Sequence, residues 1–282
     1  MLNLVRADLF RIVRSKSIYL IFLVMLVMAV LSAALKCPGV IGKSNISTND
    51  DLNKISEEIE EPDNVKEIFE MINNNKSDEA KKKLPLEVIG SNMNLYYLIV
   101  FIVYAVLTAD FSNKCIKNTL SSVTNRKMYF VSKMAVIFGI AILLIFMNTF
   151  VFFGINYILN GTRYSCSLLT ALKATAVQLP LLLGLTSVLI LIVYMTRSGV
   201  LYNSIAIAGV LLFQLIITLT YEITKLKIFD TFMRNYEIQE ALYKLAYAPE
   251  QKHTIICTIA GLGMILASSL IGYNVFKRSE IK

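Results

Sequence analysis

The chain contains six long runs free of Asp, Glu, Lys, Arg and His: residues 18–35, 93–109, 134–159, 174–194, 200–221 and 254–276. Each approaches the roughly 20 residues that an α-helix needs to cross a bilayer. Within lipid, backbone N–H and C=O groups find no water, so a spanning segment must satisfy them as a helix or in a closed barrel. The runs are unbroken and rich in Leu, Ile, Val and Phe, without the alternation of barrel strands. The expected fold class is therefore an all-α polytopic membrane protein with six transmembrane helices. A hydrophobic fraction of 56% over 282 residues agrees, being too apolar for one soluble core of this length.

The first run has some marks of a secretory signal peptide, since Arg11, Arg14 and Lys16 precede it and Ser32, Ala33 and Ala34 close it. Its uncharged length exceeds the roughly 7 to 15 residues of a signal h-region, and five more runs follow, so an uncleaved helix is expected.

Charge sorts the segments between the runs. Residues 1–17, 110–133, the turn around Arg197 and 277–282 together hold 13 basic and 3 acidic side chains, a net of +10. The complementary segments, 36–92, 160–173 and 222–253, hold 15 basic and 17 acidic, a net of −2. Cytoplasmic loops carry the excess of Lys and Arg, so the first set, with both termini, is expected in the cytoplasm. The overall charge of +8 lies beside membrane spans, where anionic headgroups account for it, and nucleic-acid binding is rejected.

Residues 36–92 form an extracytoplasmic helical insertion carrying 12 of the 20 acidic residues. Leu52, Ile55 and Ile59, then Val65, Ile68, Phe69 and Ile72, recur at helical spacing around Pro62, which predicts two short amphipathic helices. Their apolar faces could cap the bundle or contact a partner outside. Residues 222–253 read as interfacial or partly re-entrant helices, with Phe229, Phe232, Met233 and Tyr236, then Ala241, Leu242 and Leu245, at helical spacing. Residues 1–17 read as a cytoplasmic interfacial helix, with Leu2, Val5, Leu9 and Ile12 on its apolar face and Arg6, Asp8, Arg11 and Arg14 elsewhere.

Catalytic patterns are sparse. The stretch from Cys37 to Ser44 ends like a Walker A loop but has Cys where the first Gly belongs. It follows a membrane run rather than a buried strand, so no nucleotide site is expected there. His253 is the single histidine, which excludes multi-histidine metal sites and suits an interfacial residue at the outer mouth of the last run. Of the four cysteines, Cys37 and Cys166 share the outer side and could pair, although sharing a side does not ensure bridging distance. No metal, cofactor or catalytic residue is expected on this chain. Intramembrane charges are the usual mark of ion-coupled transport, and the runs have none, so transport would draw its energy elsewhere. Asn148, Asn156, Gln178 and Gln214 are expected to bond helix to helix, and Pro180 with Gly184 could loosen the fourth run.

The cytoplasmic segment Asp110–Lys133 reads DFSNKCIKNTLSSVTNRKMYFVSK. It resembles the loop after the second helix of ABC-type-2 exporter permeases, where an acidic residue and Phe precede an Ile-Lys-Asn-like helix and a basic turn. That family usually has Gly-Thr where this chain has Lys114-Cys115. The order of segments along nearly the whole chain is also similar: an inner-surface helix, six spans, an outer loop before the last, and a Phe-Lys-Arg ending. The resemblance implies a membrane permease subunit in a dimer with a second copy or a homologous permease, in the plasma membrane of a bacterium. It also implies a separate ABC ATPase subunit that binds ATP. The loop would then be a coupling helix, with Asp110, Ile116, Lys117, Asn118, Leu120, Arg126 and Lys127 as the ATPase-coupling residues. Ile116 and Leu120 would fill a cleft on the ATPase while Lys117, Asn118, Arg126 and Lys127 bond around it. Two other readings of the residues stay open: a basic stop-transfer loop held by anionic lipid, and a non-transporting sensor or scaffold whose outer insertion binds a ligand.

Overall fold

The computed structural model describes residues 2–35, 92, 95–112, 125–160, 167–224, 237–247 and 250–278. The described residues are helical, with no strand among them. In chain order the elements are α1 (Leu2–Arg14), α2 (Lys16–Leu35), α3 (Leu95–Val103), a π-helical turn (Tyr104–Thr108), α4 (Ala109–Ser112), α5 (Arg126–Asn160), α6 (Leu168–Thr196), α7 (Gly199–Thr224), α8 (Ile238–Tyr247) and α9 (Gln251–Arg278). The insertion 36–91, with its two expected helices, and the segment 113–124 lie outside the described residues.

Three helices are long and apolar enough to cross a membrane, over Arg126–Ile158, Leu168–Thr196 and Gln251–Arg278. A fourth is added if α1 and α2, which meet at 67°, count as one bent span. Tyr97–Thr108 and Gly199–Gly209 are shorter apolar helices. The chain is thus a helical membrane protein. Its surface agrees: up to Leu31, α2 buries the stripe Ile18, Ile21, Met25 and Ala29 and exposes Leu20, Leu23, Val27 and Leu31, apolar side chains that only lipid would solvate without cost.

The bend falls at Ser15, where the N–H of Ser15 bonds the Ile12 carbonyl at 2.9 Å before α2 begins. The face that α1 turns inward differs from its expected apolar face. Val5, Asp8 and Ile12 point to the protein, whereas Leu9, Phe10 and Val13 point out, Phe10 being 64% exposed. Beside a membrane the outside is not water, so apolar side chains can face outward while a charge with a partner turns in.

The bundle closes most tightly where α6 crosses α9. A Cβ on Gly184 would stand 2.8 Å from the Gly261 carbonyl oxygen, and one on Gly261 only 2.3 Å from that of Pro180. Small residues let the backbones touch, and Ser187 and Ser268 complete the seam with a 2.7 Å hydrogen bond. Helices α6 and α7, which carry the fourth and fifth apolar runs, are separated by two residues alone: the N–H of Arg197, in the left-handed region at φ 52°, bonds the Val193 carbonyl to end α6, and α7 starts at Gly199. α8 is capped by Glu237, whose carboxylate accepts from the N–H groups of Gln239 and Glu240 at 3.0 Å. It buries Ala241, Leu242, Leu245 and Ala246.

Candidate functional site

Two turns of helix precede the first apolar residue expected in the third span, because α5 starts at Arg126 and not near Met134. Tyr129 and Lys133, four residues apart, therefore share one face of a helix and point the same way. Asp8 and Arg11, three apart, do the same on α1. Between these pairs stands Asp110, the second residue of α4.

Lys133 Nζ donates to Asp8 Oδ1 at 2.6 Å and lies 2.6 Å from Asp110 Oδ2. The Tyr129 hydroxyl donates to Asp110 Oδ2 at 2.7 Å. Arg11 Nη1 donates to Asp110 Oδ1, and its Nη2 donates to the Val106 carbonyl at 3.3 Å. The Lys133 and Asp110 side chains are each 3% exposed, while Arg11 at 42% forms the rim. Two cations meet two anions, so the cluster is neutral. A buried charge is tolerated on that condition, that it is paired and its remaining hydrogen-bonding capacity is used. Burial acts to raise the pKa of Asp110, but Lys133, Arg11 and Tyr129 outweigh it and hold the carboxyl below its ordinary range. A carboxylate so held is an ion-pair anchor and a poor proton acceptor.

Beneath the cluster lies an aromatic layer. Tyr194 packs on Phe130, Phe276 and Phe111 with ring centroids 4.9, 5.1 and 5.9 Å apart, and Tyr129 stacks on Phe276 at 5.7 Å. Asp8 Oδ2 and the Tyr194 hydroxyl are buried and make no hydrogen bond among the described residues.

Of the residues singled out from sequence, Asp110 is at the centre of this cluster. Arg126 donates to the Lys277 carbonyl at 2.6 Å and to that of Phe276 at 3.5 Å, filling acceptors that the end of α9 leaves open. Lys127 is exposed at the start of α5. Ile116, Lys117, Asn118 and Leu120 lie outside the described residues, as do Cys37, Cys166 and the Walker-like stretch. Asp8, Arg11, Tyr129 and Lys133 match no motif in the sequence. One signal for them existed: Asp8 is the single acid in a basic helix and falls between Val5 and Ile12 on a helical stripe.

A second polar cluster is uncharged. Asn148 of α5 donates to Asn92 at 2.5 Å, Asn92 donates to Gln178 of α6 at 3.0 Å, and Gln178 donates to the Leu242 carbonyl of α8 at 2.7 Å. Thr149 and Thr175 bond each other at 2.7 Å alongside. Gln178 thus bonds helix to helix, and Asn148 is linked to it through Asn92. His253 is buried in the first turn of α9, with Cys257 Sγ 3.5 Å from its Nε2. No protein-family model matches the chain, and no curated protein matches it significantly.

Proposed function

We propose that this chain is the membrane permease subunit of an ATP-driven ABC exporter, acting as a dimer with a second copy or a homologous permease. In this reading it has six spans, both termini lie in the cytoplasm, the insertion 36–92 lies outside, and the host membrane is a bacterial cytoplasmic membrane. The ATPase is a separate subunit that carries the ATP and the catalytic residues.

The observation that carries the reading is the way the basic loop is footed. Asp110 stands just before residues 113–124, and Tyr129 and Lys133 stand just after; these three bond directly, and Lys133 passes the link to Asp8 of α1. Arg126 ties the same loop exit to the end of α9. A load on the loop is thereby delivered to α1, α4, α5 and α9 together, which is what a coupling helix requires of its base. Ile116, Lys117, Asn118, Leu120 and Lys127 would meet the ATPase, while Asp110 and Arg126 hold the loop's two feet.

The test is copurification in mild detergent from the native host, with mass identification of stoichiometric partners and an ATPase assay. An ABC ATPase at equal stoichiometry is expected, and changing Lys117 and Leu120 to Glu together should release it. Recovery of the chain alone, or with a signalling protein, would replace this reading with that of a membrane sensor or scaffold.

A further inference from the structure

Between α3 and Asp110 the helix is π-helical over Tyr104–Thr108. Such turns are rare and arise as one extra residue in an α-helix, so every residue beyond lags by one position. The consequence can be worked out from spacing. Eleven residues at 3.6 per turn fall about 20° from three full turns, so in an uninterrupted α-helix Asp110 would lie in line with Ile99. Ile99 is on the buried face, with Ile102, Val103 and Val106. The extra residue puts Phe111 on that line instead, where it meets Tyr194 edge-on at 5.9 Å. Asp110 is displaced to the side, where Lys133 and Arg11 meet it.

The turn is held from outside its own backbone. Arg11 reaches it with both arms of the guanidinium, one on the Val106 carbonyl within the turn and the other on Asp110 beyond it. Thr108 returns its hydroxyl to the Tyr104 carbonyl. Tyr104 stacks on Tyr202 of α7 at 6.5 Å, and a Cβ on Gly199 would come within 3.0 Å of the Tyr104 ring. A small cavity of about 100 Å³ adjoins the turn at the α1–α2 bend, lined by Arg11, Ile12, Ser15, Ile18, Ala105 and Val106, and gives the turn room to move.

We infer that the Tyr104–Thr108 turn is a two-position rotary joint, locked in its π form by Arg11 of α1. When α1 withdraws, the turn relaxes to α-helix. The α3 residues are anchored in the core, with Leu95, Ile99, Ile102 and Val103 at 5% exposure or less, so α4 is the part that turns, by about 100° for one residue. Phe111 leaves Tyr194, and Asp110 leaves Lys133. The inference does not depend on the exporter reading, since it concerns this chain alone.

The experiment uses the full chain in detergent with Cys37, Cys115, Cys166 and Cys257 changed to Ser, and reads the maleimide labelling rate of Phe111→Cys, with Leu98→Cys in α3 as a control reporter. Arg11→Lys keeps the positive charge beside Asp110 but cannot bond two acceptors in a fork. It is expected to speed labelling at 111 by about tenfold, as when a state populated at roughly 10% becomes the major one, and to leave position 98 unchanged. Deleting Ala105 removes the extra residue and should restore the parental rate at 111 in the Arg11→Lys background. A lost ion pair would not be repaired by shortening a different helix. Unchanged labelling in Arg11→Lys, or a rise that the deletion fails to reverse, overturns the inference. Arg11→Ala should show the larger effect, and if it also opens position 98 through misfolding, the Arg11→Lys and deletion pair decides.

Discussion

Among the described residues two buried polar clusters are built on opposite principles. The Asp8–Arg11–Asp110–Lys133 cluster is made of full charges and lies where the basic loop meets the helices. The Asn92–Asn148–Gln178 cluster joins α5, α6 and α8 with neutral amides, Asn148 and Gln178 lying within apolar runs and Asn92 just before one. A carboxylate or ammonium deep in lipid costs several kcal/mol even after relaxation, whereas an amide bonded at both ends costs little. Charge is therefore placed at the edge, where α1 can cover it. The two also differ in what they can transmit. An amide chain fixes distance, but an ion cluster bound to a loop and to an interfacial helix can be opened by moving either.

The sharpest way to break the comparison is to remove the shared cation. Lys133→Met leaves Asp8 and Asp110 buried with Arg11 alone between them, and uncompensated buried charge costs about 3–5 kcal/mol. Thermal aggregation midpoints in detergent should fall by more than for any single change in the amide cluster. A small drop would mean that water reaches the carboxylates and that α1 is a loose cover. Asn148→Leu is the matching change in the other cluster. It leaves the Asn92 carbonyl oxygen without its donor, and interhelical hydrogen bonds in membranes average about 0.6 kcal/mol, with about 1.7 as the upper end. A loss as large as that of Lys133→Met would erase the distinction between the clusters.

Sequence revealed these regions unequally, for physical reasons. The apolar runs were legible because lipid imposes length and composition on any spanning segment, and Asn148 and Gln178 were legible as polar residues inside such runs. Leu242 was placed on a helical face, but the bond to its carbonyl was not legible, since a backbone acceptor carries no residue signature. The charged cluster was half hidden. Asp110 stands out through resemblance, but Asp8 and Lys133, which bond each other, are 125 positions apart, and an amphipathic reading of α1 sends every charge outward. Lys133 lies outside the apolar run yet inside a helix, because α5 outruns its apolar stretch by two turns. The π turn left no trace at all: Leu95–Ser112 contains neither Pro nor Gly, and what holds the turn are donors from α1 and rings from α7. Likewise the bend at Ser15 has no Pro or Gly to announce it.

The smallest expected effect separates the clusters by pH. The amides do not titrate, so their contribution should be flat. Asp110 has its pKa lowered in the folded protein, so its contribution is fully present above the unfolded value, near 3.8, and is lost as pH falls through the folded value below that. The midpoint difference between the parent and Asp110→Asn should stay constant from pH 8 to pH 5 and shrink only at more acidic pH, while the difference between the parent and Asn148→Leu should not follow it. If the Asp110→Asn gap already closed between pH 7 and pH 5, burial would be outweighing Lys133 and Arg11. The cluster would then release α1 on mild acidification, and the edge placement of its charges would serve proton sensing in addition to anchorage.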